Sequence, residues 1–246
     1  MSGQRVLIAS PLGHIVQPAL AEQFGDGIAV AVGPAETLAA VAGRVRFDVV
    51  ITDLLWNSAE HEYSFDGFDV MDLLRRHDRT APVIVATQGH GLEADHLDEV
   101  AAHPEVVGVV HKANGLPAVL AAIDIAASGQ RLRLRAYPAP IRSDDASIHT
   151  YFGRGRRGAT AARLAGAIAS GRASDNRSLQ AATHIPLNTA NKVGSYLGPL
   201  MLARKEHSID LPMTSQAVYR WCGEHARYIL SWCRRNGHAD IAMRAG

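Results

Sequence analysis

The sequence predicts an α/β domain with a doubly wound, five-stranded parallel sheet, followed by a small all-α domain. Strand-like and helical segments alternate five times in the first 128 residues, whereas only helical periodicity occurs beyond residue 158. Residues 1–130 hold 7 Lys and Arg against 17 Asp and Glu, and residues 131–246 hold 18 against 7. The net charge of +1 therefore hides an acidic and a basic half. We expect two domains whose charges either face each other or, for the basic one, attract a polyanion.

Each element of the first half has a local signature. Strands are predicted at short apolar runs rich in β-branched residues, and helices where apolar residues recur every three to four positions. The predicted strands are 5–10, 27–33, 47–55, 81–87 and 106–112, and the predicted helices are 14–24, 34–43, 67–77, 91–102 and 115–127. Strands that alternate with helices in this way form parallel sheets covered on both faces.

Three polar residues end consecutive predicted strands: Asp53, Thr87 and Lys112. The carboxyl ends of parallel strands meet at one edge of a doubly wound sheet, so these side chains are expected in one crevice. A carboxylate nucleophile, a hydroxyl that bonds a phosphoryl oxygen and an ammonium that neutralises it form a phosphoryl-accepting set. The alternatives are a capping Asp, a strand-end Thr and a surface Lys.

Residues 4–128 resemble the receiver domain of two-component response regulators. The resemblance rests on TD at 52–53, DGFDVMDLLRR at 66–76, PVIVAT at 82–87 and VHKANG at 110–115. It implies a flavodoxin-like fold, with Asp53 as the phosphoacceptor-like residue and Thr87 and Lys112 as the switch-like residues.

The first strand departs from the receiver pattern. Ser10 and Pro11 stand where receivers have two adjacent acidic residues that hold Mg²⁺, and Pro11 offers neither charge nor N–H. The loop after Asp53 is long and contains Glu60, His61 and Glu62, which either replace the missing ligands or lie in solvent. We therefore expect an atypical receiver without a cofactor, in which Mg²⁺ binding is doubtful. Its control is expected to come from dimerisation, a ligand or a partner rather than clearly from phosphorylation.

The basic half begins with a predicted linker at 131–152 and continues as a helical domain at 153–246. The GRGRRG segment at 153–158 places Arg156 and Arg157 either on nucleic-acid phosphates or in a solvated loop. Helices are predicted at 159–171, 174–183, 187–206 and 214–236.

A helix-turn-helix is predicted from the short helix 174–183, the turn HIP at 184–186 and the helix that follows. Ala190 and Val193 are expected to seat the second helix. Its exposed face offers side chains that pair with base edges or phosphates, namely Asn188, Thr189, Asn191, Lys192 and Ser195. Residues 160–205 resemble the NarL/FixJ/LuxR-type output domain, although Pro186 replaces the usual serine cap. Gly194 and Gly198–Pro199 are expected to weaken or end the second helix early.

Other function classes have little support. No apolar run reaches the length of a membrane span, and the N-terminus lacks the pattern of a signal peptide. Cys222 and Cys233 lie about 16 Å apart if one helix carries both, too far for a disulfide, so a cytoplasmic location is expected. No metal-binding spacing, nucleotide loop or nucleophile elbow occurs, and we expect no enzyme.

The prediction is thus a DNA-binding transcription regulator of the response-regulator type, which pairs as a homodimer on double-stranded DNA. The long terminal helix with its two Trp residues either forms a dimer face or packs on its own domain. The alternative function is a signalling adaptor that binds proteins through both domains, without nucleic acid. An RNA-binding antiterminator is less favoured, because no aromatic platform for single-stranded bases is evident.

Overall fold

The computed structural model describes residues 4–132 and 145–242. The chain forms two compact units, Met1–Pro138 and Ala139–Gly246, and each is described by itself.

The first unit is a five-stranded parallel sheet of order β2-β1-β3-β4-β5, which is the strand order of the flavodoxin-like fold. Its strands are β1 (Val6–Ala9), β2 (Ile28–Ala31), β3 (Val49–Asp53), β4 (Val83–Thr87) and β5 (Val106–His111). The helices between and after them are α1 (Gly13–Phe24), α2 (Pro34–Ala42), α3 (Gly67–Arg76), α4 (Ala94–Val100) and α5 (Gly115–Ala127). The predicted fold class is confirmed.

The three central strands are buried along their whole length, which explains why they are continuous apolar runs. Their register brings the strand ends together, because Asp53 is paired with Ala86, and Thr87 with His111. Ser10 follows β1 directly, so the chain places it at the same edge.

The loop between β3 and α3 is a packed segment. Trp56 is fully buried, and Phe65 packs edge-to-face against it with ring centroids 4.8 Å apart. The loop ends at Asp66, whose side chain caps α3. The next position has room only for Gly, because a Cβ atom at Gly67 would lie 2.7 Å from the carbonyl oxygen of Asp53. The middle of the loop, around Glu60, is exposed to solvent, as the sequence suggested. Both ends of the loop are buried in the core.

The second unit contains eight helices among its described residues, arranged around one central helix. They are α6 (Ile148–Gly153), α7 (Gly155–Ala169), α8 (Asn176–Thr183), α9 (Leu187–Ala190), α10 (Val193–Ala203), α11 (Ser215–Glu224), α12 (Ala226–Arg235) and α13 (Ala239–Ala242). The central helix α7 is rich in buried Ala and Gly and packs against α6, α8, α10, α11, α12 and α13. Small side chains let these neighbours approach closely, and Gly166 lies against Cys233 and Ile241.

Several predicted boundaries in this half are wrong. The predicted linker 131–152 runs into α6, whose Ile148 and Phe152 are buried, while residues 133–144 lie outside the described part of the chain. The predicted helix 214–236 is interrupted at His225, which leaves helical backbone angles. The predicted helix 187–206 breaks at Asn191–Lys192, before its glycines, and α10 then continues through Pro199 to Ala203.

The aromatic and thiol groups of α11 and α12 belong to the core of their own unit. Trp221 and Trp232 are 2% and 6% exposed, so they are not available as the dimer anchors that the sequence suggested. Cys222 and Cys233 are buried free thiols, as their spacing predicts. Burial raises the pKa of Cys233 to about 12, which keeps this thiol protonated and unreactive.

Candidate functional site

The strand-end crevice of the first unit brings Asp53 and Lys112 together. Asp53 is 6% exposed, and its Oδ2 accepts hydrogen bonds from Lys112 Nζ at 2.7 Å and from Ser10 Oγ at 2.8 Å. Thr87 ends the neighbouring strand and is fully buried, and its hydroxyl has no hydrogen-bond partner among the described residues. The spacing in the sequence anticipated the Asp–Lys pair, but not that Ser10 would donate to the carboxylate.

The environment of Asp53 opposes its ionisation. Burial raises the pKa of Asp53 above the ordinary value, although Lys112 and Ser10 favour the charged form, and the nearby Glu93 carboxylate raises the pKa further. A buried carboxylate that costs free energy in its charged form is a typical feature of functional sites.

Glu93 occupies the loop after β4 and was missed by sequence reasoning. Its side chain accepts hydrogen bonds from three consecutive backbone N–H groups, those of Gln88 at 3.0 Å, Gly89 at 2.7 Å and His90 at 3.1 Å. Gly89 has a φ of +83°, which helps to turn these groups toward one point. Glu93 is 2% exposed, so this loop is held by a buried anion supplied by the protein itself. In the sequence, this role is indicated by a Glu three residues after His90, in a segment that contains Gly89 and Gly91.

Among the described residues, the crevice offers few oxygen ligands for Mg²⁺. The cation needs several oxygen ligands in octahedral arrangement, and Asp53 Oδ2 is already bonded by an ammonium and a hydroxyl. Pro11 contributes no side-chain oxygen, and the Glu93 carboxylate is used by the three N–H groups. In residues 4–132 and 145–242, no three His, Cys, Asp or Glu side chains are grouped so that they could hold a metal ion.

The helix-turn-helix region of the second unit is built by α8, a tight turn and the α9–α10 segment. Asp175 caps α8 through the backbone N–H of Ser178, and the helix ends at His184 in a left-handed conformation. Pro186 then starts α9. Ala190 and Val193 are fully buried, in the seating role that the sequence predicts for them.

Five of the predicted DNA-contacting residues lie in the segment 188–195 of α9 and α10, whose exposed part we call the α9–α10 surface. Asn188, Asn191, Lys192 and Ser195 are exposed, Thr189 is half-buried, and Arg156 and Arg157 are exposed at the start of α7. Arg157 joins the two segments because its Nη2 donates to the carbonyl oxygen of Ser195 at 2.5 Å. Asn191 is linked to α8 by a 3.2 Å hydrogen bond from Asn176.

The α9–α10 surface keeps its positive charge unpaired. The carboxylates of Asp145, Asp240 and Glu206 form ion pairs with Arg154, Arg163 and Arg204. Among the described residues, no carboxylate forms an ion pair with Lys192 or Arg156. An exposed basic surface with Asn and Ser side chains fits a polyanionic partner, such as one that bears phosphates, better than a basic or apolar one.

No protein-family model and no curated protein matches this sequence. Three solved structures that resemble it come from response regulators. One is a Francisella response regulator receiver domain, at 19% identity and a TM-score of 0.39, covering 50% of this chain and 96% of that one. The RcsB–DNA complex has 15% identity and a TM-score of 0.49, covering 90% and 98%. RcsB of Salmonella typhimurium has 18% identity and a TM-score of 0.43, covering 89% and 98%.

At these identities and TM-scores, the function of the chain has to be inferred from its own residues. Within the described residues, every helix is too short or too polar to cross a membrane.

Proposed function

We propose that this protein is a DNA-binding transcription regulator of the response-regulator type with an atypical receiver domain. The observation that carries this proposal is the α9–α10 surface, where Asn188, Asn191, Lys192 and Ser195 are exposed within one short segment and Lys192 has no ion pair among the described residues. Asn pairs with adenine edges, Lys with guanine or phosphate, and Ser with bases or phosphate. The helix-turn-helix presents this surface on a rigid scaffold, and the receiver-like unit supplies a place for control.

Control of DNA binding is proposed to depend on dimerisation, a ligand or a protein partner. The crevice supports this because Lys112 and Ser10 already bond the Asp53 carboxylate, and because few oxygen ligands for Mg²⁺ lie beside it among the described residues. Pairing of two receiver-like units would set the distance between two α9–α10 surfaces on a pseudo-palindromic site. The DNA is double-stranded, and the active species is a homodimer.

Substitution of Lys192 by Ala tests the placement of DNA. If Lys192 contacts phosphate or a guanine, Lys192→Ala lowers the affinity for duplex DNA and reduces the slope of log K against log salt by about 1. Affinity is measured by fluorescence anisotropy of a labelled duplex between 50 and 200 mM salt, a range in which phosphate contacts change affinity by orders of magnitude.

Lys205→Ala is the matched control, because Lys205 is also exposed but lies beyond the other end of α10, a helix about 16 Å long. It is expected to leave the affinity and the slope near their original values. Equal effects of the two substitutions would show that only general charge attraction is measured, and that DNA lies elsewhere.

A further inference from the structure

Helix α10 contains a proline that removes one of its hydrogen bonds. Pro199 lies inside the helix and has no N–H, so the carbonyl group of Ser195, four residues earlier, lacks its usual helical donor. Sequence reasoning takes Gly198–Pro199 as a helix end for this reason, yet the helix continues to Ala203. The carbonyl oxygen of Ser195 is therefore open to a hydrogen bond from another group.

Arg157 supplies the missing donor. Its Nη2 donates to the carbonyl oxygen of Ser195 at 2.5 Å, and its guanidinium lies over the ring of Tyr196, 5.1 Å from the centroid. The planar guanidinium makes both contacts at once, which a lysine ammonium cannot do equally well. Tyr151 of α6 adds a third contact, because its hydroxyl donates to the carbonyl oxygen of Tyr196 at 2.6 Å.

These contacts hold the first turn of α10, directly beside the break after α9. The hydroxyl of Ser195 donates to the carbonyl oxygen of Lys192 at 2.8 Å, so the held turn is connected to the predicted DNA-contacting lysine. Arg157 is thus engaged with the protein, whereas the neighbouring Arg156 has no side-chain ion pair among the described residues and extends from an exposed position.

We propose that Arg157 is a positioning residue: it compensates for Pro199 and orients the α9–α10 surface, and Arg156 is the phosphate contact of the GRGRRG segment. The part of this inference that concerns DNA rests on the proposed function. The compensation of Pro199 by Arg157 stands on the geometry of the second unit alone.

A double-mutant cycle tests the compensation. Pro199→Ala restores an N–H at position 199, so the helix can satisfy the carbonyl oxygen of Ser195 by itself. Arg157→Ala is expected to lower the thermal midpoint of the second unit by about 4 °C in the parent chain, and by about 1 °C when Pro199→Ala is present. Arg156→Ala is the control and should shift both midpoints equally little. An equal loss from Arg157→Ala in both backgrounds would overturn the compensation.

Duplex DNA affinity tests the positioning role with the same six proteins, the four of the cycle and Arg156→Ala in both backgrounds. Arg157→Ala is expected to lower affinity about tenfold, and Pro199→Ala is expected to restore most of that loss, because the orienting contact is no longer needed. Arg156→Ala should lower the salt slope by about 1 in both backgrounds. A loss from Arg157→Ala that Pro199→Ala does not restore, with a salt slope lowered by about 1, would make Arg157 a phosphate contact and refute the positioning role. If the parent chain binds no duplex, the proposed function fails, and the thermal cycle still decides the compensation.

Discussion

Arg204→Met is expected to lower the free energy of unfolding of the second unit by about 3–4 kcal/mol, because a buried guanidinium loses several hydrogen bonds, each worth roughly 1.5 kcal/mol or more when charged groups take part. The Arg204 side chain is fully buried. It donates to both oxygens of Glu206, at 2.6 and 3.0 Å, and to the carbonyl oxygen of Ala146 at 3.1 Å. The substitution therefore removes two hydrogen bonds to Glu206 in the loop after α10, and one that connects the end of α10 with Ala146 at the start of the second unit.

Loss of Arg204 removes two of the hydrogen bonds that the Glu206 carboxylate accepts. Burial alone would raise the pKa of Glu206, but hydrogen bonds with His225, Arg204 and Trp221 hold it well below the usual range. The indole N–H of Trp221 donates to the same carboxylate at 2.7 Å. Because the folded-state pKa is lowered, Glu206 stabilises the second unit above its unfolded-state pKa, near 4.5, and this stability is lost as the pH falls.

Denaturant unfolding followed by circular dichroism and Trp fluorescence measures the loss. Arg220→Met is the matched control, because Arg220 faces Glu224 at 3.9 Å in an exposed pair and should cost about 0.5 kcal/mol or less. Similar losses for Arg204→Met and Arg220→Met would show that the Glu206 cluster contributes no more than a surface ion pair.

Lys112→Met is the second substitution with a large expected effect, about 2–3 kcal/mol in the first unit at pH 7.5. Lys112 Nζ donates to Asp53 Oδ2 at 2.7 Å, and without it the buried carboxylate keeps only the Ser10 hydroxyl. When Asp53 binds a proton, the free-energy cost of burying its charge is removed. The expected loss of stability is therefore smaller for Lys112→Met than for Arg204→Met.

Protonation of Asp53 makes the stability of the Lys112→Met protein depend on pH. The pKa of Asp53 is already raised by burial, and loss of Lys112 raises it further. Over the window from about 4, the unfolded value, up to the raised folded value, the folded state holds more protons than the unfolded state. Stability is therefore retained at the acidic end of that window and lost as the pH rises through it.

Unfolding of Lys112→Met between pH 4 and 8 checks this sign, with Lys112→Met/Asp53→Asn as the control. The double variant has no ionisable group at position 53 and should recover most of the stability and lose the pH dependence of the single variant. A Lys112→Met protein whose stability is constant over this range would show that Asp53 does not take up a proton in this way.

A DNA affinity unchanged by Asp53→Asn would remove phosphorylation of Asp53 from the mechanism.

The first unit shows how much of this fold is encoded locally. Its three central strands are continuous apolar runs since they are buried along their whole length, and α3 has clear 3.6-residue periodicity, so these elements could be predicted. The meeting of Asp53 and Lys112 followed from strand order alone. Glu93 could not be anticipated, because its role depends on three backbone N–H groups that converge only in the folded loop.

The second unit departs more from its sequence pattern because tertiary contacts decide its helix ends. Pro199 is a local signal to stop, and Arg157, forty-two positions earlier, overrides it by supplying a donor. Conversely, residues 214–236 have uninterrupted helical periodicity, yet the backbone leaves the helix at His225, whose Nε2 lies 3.3 Å from Glu206. Neither effect is visible in a window of neighbouring residues.

Capture of sheared genomic DNA by the purified protein, at low salt and at about 150 mM salt, followed by sequencing of the retained fragments, tests DNA recognition most directly. We expect discrete enriched DNA sites that are still retained at the higher salt. These sites should have dyad symmetry if a dimer docks two α9–α10 surfaces. Retention without enriched sites, lost as the salt rises, would contradict this expectation. The basic unit would then act only by charge attraction, and an adaptor that binds proteins would be the better description.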